Sequence, residues 1–341
     1  MSEAIEEYVE RLWTAATGGD EYAAAEAALA ALDDGVPMET LLLDVVAAVQ
    51  SRVGREWAAD RLSVAQEHTA TAINERVVAA LVHHPSQRER PAPGRGQVEV
   101  ACIDGEWHAF PARLLAEVLR VRGWRVDYLG AQVPAPYLVA HLHRNNPDVV
   151  ALSSSLAIRL PAAHSTITAC QAAGLPVLAG GAAFGPDGRY ARLLGADAWA
   201  PDARSAADLL AAGPLPRRPA QDEANLGGHE YAHVTQAAPN LVRAVLDRLQ
   251  ARPEQRLGPT AENVAHIVDY LRAALYVHDP ELFSSFVSWM ADVSTARGFP
   301  AGVLLSALEA LADGLGGLPH ALAMVARARS ELNRPETGSA A

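Results

Sequence analysis

From residue 97 to about 213, short apolar runs alternate with helical patterns, and this alternation limits the possible folds more than any other feature of the chain. Val98–Ile103, Arg125–Leu129, Asp148–Ser153, Val177–Ala179 and Ala196–Trp199 read as strands. Helical stretches, including Pro134–Arg144 and Pro161–Ala173, lie between them. Strands joined through helices pair in parallel, so the region predicts a doubly wound, flavodoxin-like (Rossmann-type) sheet of about five strands. Open sheets of this kind bind ligands beyond the carboxyl ends of their strands.

The first of those ends carries the most suggestive chemistry. After Ile103 comes a polar turn, Asp104-Gly105-Glu106-Trp107-His108, and then a helical run through Leu114, Leu115, Val118, Leu119 and Val121. His108 thus sits on a strand-to-helix loop, and Glu106 can receive one ring N–H and fix which nitrogen faces a metal. A lone Glu-x-His on a loop is more often a solvated turn. The other strand ends lead into Leu129-Gly130-Ala131-Gln132-Val133-Pro134, Leu152-Ser153-Ser154-Ser155-Leu156 and Ala179-Gly180-Gly181. Glycine there allows close approach of a ligand, or simply makes a turn.

Helical regions flank the sheet. Residues 1–84 read as four helices: Glu3 to Thr17, Ala-rich Asp20 to Leu32, a stripe of Leu42, Val45, Val46, Val49, Val53 and Trp57, and a last helix opened by Ser63 with Gln66 as a capping box. Polar linkers follow at 85–96 and 213–219. Beyond them, Gly228–Leu249, Ala261–Val277, Pro280–Arg297, Pro300–Asp313 and Pro319–Leu332 read as helices, and the tail from Asn333 is expected to fray. The domain boundaries expected are 1–84, 97–213 and 225–333.

Charge narrows the function. Lys plus Arg number 28 against 40 for Asp plus Glu, a net charge of -12, which argues against a nucleic-acid surface. There is no helix-turn-helix pattern, signal peptide or apolar run of membrane-spanning length, so the chain reads as cytoplasmic. Cys102 and Cys170 do not suggest a disulfide framework.

Taken together, residues 40 to about 212 resemble the cobalamin-binding module of the CarH-type light-sensing proteins. The resemblance rests on Trp57 followed ten positions later by Glu67 and His68, on Glu106-Trp107-His108, and on Tyr128, Leu129, Gly130 and Pro134. Leu152, Ser153 and Leu156, with Gly180 and Gly181, complete it. It implies a helical cap over the sheet domain, with His108 as the lower cobalt ligand of adenosylcobalamin. Trp57, Glu67 and His68 would face the upper ligand, and Val133, Ser153, Ser155, Leu156, Gly180 and Gly181 would line the site. Without the resemblance, Trp57 would be bundle core and Glu67–His68 a solvated pair. The chain departs from the pattern twice. Pro111 stands three residues after His108 where the motif has Gly, and Ala58 follows Trp57 where the light sensors have the His that takes the upper cobalt position after illumination.

The carboxyl-terminal helices resemble the globin-like domain of the photocobilins, which pair cobalamin with a bilin. That implies a noncovalent biliverdin, since no cysteine follows Cys170. Arg243, Arg248 and Arg272 could meet its propionates, and Tyr270, Tyr276, His266, His278 and Trp289 could line its slot; Arg243, Tyr270, Tyr276 and His278 are the residues assigned. Against this, Tyr and Trp at helical spacing are usually core, and haem or a dimerisation bundle are rivals. The function expected is a light-sensing signalling protein without catalytic turnover. It would act through light-dependent self-association or an unidentified protein partner, without nucleic acid or membrane. The alternative is a corrinoid carrier for a methyltransferase.

Overall fold

The computed structural model describes residues 3–87, 94–218, 226–250 and 261–334. Residues 88–93, 219–225 and 251–260 and the tail expected to fray beyond 334 lie outside them. The chain divides into two compact units, Met1–Gln221 and Asp222–Ala341.

The first unit opens with α1 (Glu3–Gly18) and α2 (Glu21–Asp33). Asp20 caps α2 through the Ala23 amide, and the buried face of α2 is all alanine, Ala24, Ala27, Ala28 and Ala31, which allows close helix approach. A short α3 (Met38–Thr40) runs through a π-helical turn, Leu41–Val46, into α4 (Ala47–Ala58). α5 (Val64–His83) begins at the capping box expected of Ser63 and Gln66.

The sheet consists of β1 (Gln97–Cys102), β2 (Arg125–Gly130), β3 (Val149–Ser153), β4 (Val177–Gly180) and β5 (Ala198–Ala200). All pairs are parallel, in the order β2-β1-β3-β4-β5, which is the flavodoxin-like order. From β1 the chain leaves to one side for β2 and then crosses to β3 on the other, so a crevice opens beyond the carboxyl ends of β1 and β3. Between strands run α6 (Phe110–Val121), α7 (Ala135–Asn145), α8 (Leu160–Ala172) and the short α9 (Arg189–Leu193), and α10 (Ala203–Ala212) follows β5. Pro111 lies in the first turn of α6, where its missing N–H is tolerated. β5 starts two residues later than the sequence indicates, because Asp197 turns its carboxylate onto the Val177 amide at 2.7 Å.

Side chains alternate across β1. Val98, Val100 and Cys102 join one apolar cluster with Leu41, Leu42 and Val49 of the cap and Leu114 and Leu119 of α6. Cap and sheet therefore share a core. Their seam is also ionic: Arg122 grips both carboxylate oxygens of Glu39 and reaches Asp208, while Arg204 reaches Asp44 at 2.9 Å. Glu39 is held below the usual carboxylate range by the Arg122 hydrogen bond, against a smaller burial effect.

The second unit contains α11 (Gly228–Gln250), α12 (Ala261–Tyr276), α13 (Pro280–Ala296), α14 (Ala301–Asp313) and α15 (Pro319–Leu332). Val234, Leu271, Phe283, Leu308 and Val325 belong to its own apolar cluster. α11 and α12 are antiparallel neighbours, with the Tyr231 ring against Tyr276 and Arg272 donating to Thr235. Pro239 lies inside α11, where apolar burial on either side of it outweighs its local disfavour.

Candidate ligand site at the carboxyl edge of the sheet

The loop after β1 is organised by one side chain. Glu106 is 0% exposed and accepts five hydrogen bonds: from the His108 amide and Nδ1, the Ser154 hydroxyl, and the Ser155 and Leu156 amides. Burial alone would raise its pKa, but the His108 ring and these amides outweigh it, and the carboxyl falls to about 2. An ionised carboxylate only accepts. The Nδ1–H of His108 therefore points at Glu106, 2.6 Å away, and Nε2 is the ring nitrogen left to face a ligand. The histidine side chain is 32% exposed. Trp107 stacks on its ring at 3.8 Å while remaining largely exposed.

Neighbouring strand ends close around this loop. The Gln132 amide, on a residue with φ +52°, donates to the Glu106 carbonyl at 2.9 Å and ties down the β2 exit. Tyr128 donates its hydroxyl to the Ala109 carbonyl at 3.1 Å, with the Arg113 guanidinium over its ring. Leu129, Gly130 and Val133 are half-buried along the same exit. At β3, Ser153 is buried at the strand end, Ser155 and Leu156 are half-buried, and the hydroxyl that reaches Glu106 belongs to Ser154. Ser154 is the residue the sequence reading passed over; its contact depends on β1 and β3 lying side by side. Gly180 and Gly181 follow β4. Gly181 has φ +100°, and a Cβ on it would lie 2.2 Å from the Ser154 carbonyl oxygen, so only glycine fits.

In the cap, Trp57 is half-buried in the last turn of α4, and Glu67 and His68 lie in the first turns of α5. The Glu67 carboxylate holds His68 Nδ1 and accepts from the Thr71 hydroxyl at 2.9 Å. Thr71 in turn receives Gln50 at 2.7 Å, and Gln50 accepts from buried Asn74 at 2.8 Å. This polar ladder between α4 and α5 gave no motif in the sequence.

The four residues expected to hold a bilin do not converge on one point. Tyr276 is buried against Tyr231, with exposed His278 on the following turn. Tyr270 stacks instead on Phe286 at 3.6 Å, beside Trp289. Arg243 is exposed on α11, about 18 Å along the helix from Tyr231. The other two arginines are paired, Arg248 with Asp313 and Arg272 with Asp269.

The B12 binding domain family matches residues 96–211, and a second family of the same description matches residues 8–82. The two matches support a cobalamin-binding module. The HTH-type transcriptional repressor CarH of Myxococcus xanthus is 35% identical over 146 residues, 41% of this chain and 46% of the repressor. The repressor CarA of the same organism is 38% identical over 93 residues, 27% of this chain and 31% of its own length. The chain thus spans less than half of these two relatives. Trimethylamine corrinoid protein 1 of Methanosarcina mazei is 25% identical over 150 residues, 44% of this chain and 69% of that protein. The fold is that of the monomethylamine corrinoid protein of Methanosarcina barkeri, with a TM-score of 0.53 at 18% identity, covering 61% of this chain and 99% of that one. Among the described residues, no helix is long and apolar enough to cross a membrane.

The residues present fit a cobalamin. An imidazole held through Nδ1 and open at Nε2 suits a borderline transition metal. The Gly181 cradle keeps backbone bare beside the crevice. Both cysteines are buried, and burial pushes each thiol up to about 12, so neither competes as a thiolate ligand.

Proposed function

We propose that this chain is a light sensor that uses adenosylcobalamin and pairs it with a noncovalently held biliverdin in its second unit. The observation that carries the reading is the buried Glu106 that fixes His108 through Nδ1, in a chain whose cap also bears Trp57, Glu67 and His68 at the spacing of the CarH-type sensors. When bound, an alkylcobalamin supplies a cobalt–carbon bond that light breaks. His108 Nε2 would hold the cobalt, and Glu106 orients that imidazole through Nδ1. Trp57 offers a rigid plane over the upper face. Glu67 and His68, joined through Thr71 and Gln50 to Asn74, transmit a change at that face into the α4–α5 contact. Such a change in cap packing biases self-association or a partner surface. With Ala58 where the light sensors have a second histidine, His68 or water would be the candidates to replace the photolysed ligand.

In the second unit a bilin would lie against one of two separate aromatic groups, the Tyr270–Phe286–Trp289 stack or the Tyr231–Tyr276 pair that precedes His278. Its globin-like character belongs to the same proposal. The second reading, a corrinoid carrier, is favoured by the fold shared with the methylamine corrinoid protein. The test is the absorption spectrum of protein made with adenosylcobalamin and biliverdin, taken in the dark and after green light. Loss of the alkylcobalamin bands on illumination, together with a red bilin band, is expected. A light-stable cobalamin spectrum overturns the sensor reading in favour of the carrier.

A further inference from the structure

On the face of the sheet turned away from the cap, Glu99 of β1 and Asp127 of β2 are register partners, so two carboxylates stand side by side. Like charges directly opposite one another destabilise a sheet. Glu99 is 0% exposed, and neither of its oxygens has a hydrogen-bond partner. Above them α7 places His141, whose Nε2 lies 3.4 Å from Glu99 Oε2. One ligand atom from each of Glu99, Asp127 and His141 lies within 4.8 Å of the others.

We propose that Glu99, Asp127 and His141 form a site for a divalent transition-metal cation of the zinc class, separate from the His108 site. Two carboxylate oxygens and one imidazole nitrogen are donors suited to such an ion. A tetrahedral site with bonds of about 2.1 Å has edges of about 3.4 Å, the His141–Glu99 separation, and the remaining atoms reach it by small side-chain movements. Gln97 Nε2 and Asn145 Nδ2 donate to Asp127 Oδ2 at 2.9 and 3.0 Å and orient it. Asn145 Nδ2 also lies 2.6 Å from His141 Nε2, so one amide sits against both of these side chains. His141 is partly exposed, which gives the ion a path in. The site would fasten α7, and through it the Gln132–Pro134 exit, to the middle of the sheet.

The test uses the full chain loaded with cobalamin, stripped with EDTA, desalted and then given Zn2+ alone. Wild type should retain one more zinc than His141→Ala or Glu99→Gln. Its Tm should rise by roughly 5–10 °C at a hundredfold excess over Kd, while both variants stay flat and keep the cobalamin spectrum. Equal zinc content and equal thermal shift in all three proteins overturn the site. So does a Glu99→Gln protein that is more stable than wild type while zinc leaves wild type unmoved, since Glu99 would then be a buried neutral acid. His141 is partly exposed, so its variant decides the question even if Glu99→Gln does not fold.

Discussion

Glu106 meets two amide donors and a hydroxyl at one oxygen, and the His108 amide and ring at the other. A carboxamide cannot serve both groups, because its NH2 would face backbone N–H on one side or the other. Glu106→Gln should therefore lose about 2–4 kcal/mol in urea unfolding and weaken cobalamin binding roughly 10- to 100-fold. His108→Ala, which removes a partly exposed ring, should lose binding with a smaller change in stability. The ring partnership of Glu106 was legible from a spacing of two residues. Its burial was not, because three of its donors arrive 48 to 50 residues later through the β1–β3 pairing. Glu99 was hidden for a related reason. Val98-Glu99-Val100 reads as a strand with one wet face, but a doubly wound sheet is covered on both faces, and the glutamate is buried under α7.

At the scale of elements, local signals located most of the helices to within a residue or two. Ser63 and Gln66 announced α5, and the structure shows both halves of the capping box. Ser63→Ala should cost about 1 kcal/mol and lower the Tm by roughly 2–4 °C. In the proposed light sensor the substitution should also slow the recovery of the spectrum in the dark, because Glu67 and His68 lie in the first turns of that helix. The π-helical turn at Leu41–Val46 was not legible. The stripe Leu42, Val45, Val46, Val49 and Val53 keeps its apolar period through it, and a period does not record one extra residue per turn. The short α9 and α10 escaped because five and ten residues carry too few repeats to set a period.

For the whole molecule, two apolar clusters organise two compact units, each with enough buried side chains to fold by itself. Residues 1–221 expressed alone should bind cobalamin with the spectrum of the full chain, and residues 222–341 alone should unfold cooperatively by circular dichroism. Any biliverdin on the second fragment should be removed completely by denaturation, since both cysteines lie in the first unit. The parallel, doubly wound sheet was readable because alternation of strand and helix leaves few topologies, whereas a slot for a planar pigment depends on gaps between helices that no pattern in the sequence records. The order β2-β1-β3 places the mouth of the fold where the chain reverses direction, and one buried anion bridges it. The anion that ties the two lips of this mouth together is thus also the sight that aims His108. Any motion that parts the lips must let the imidazole swing, so an event deep in the groove and an event at the His108 ring are read on the same instrument.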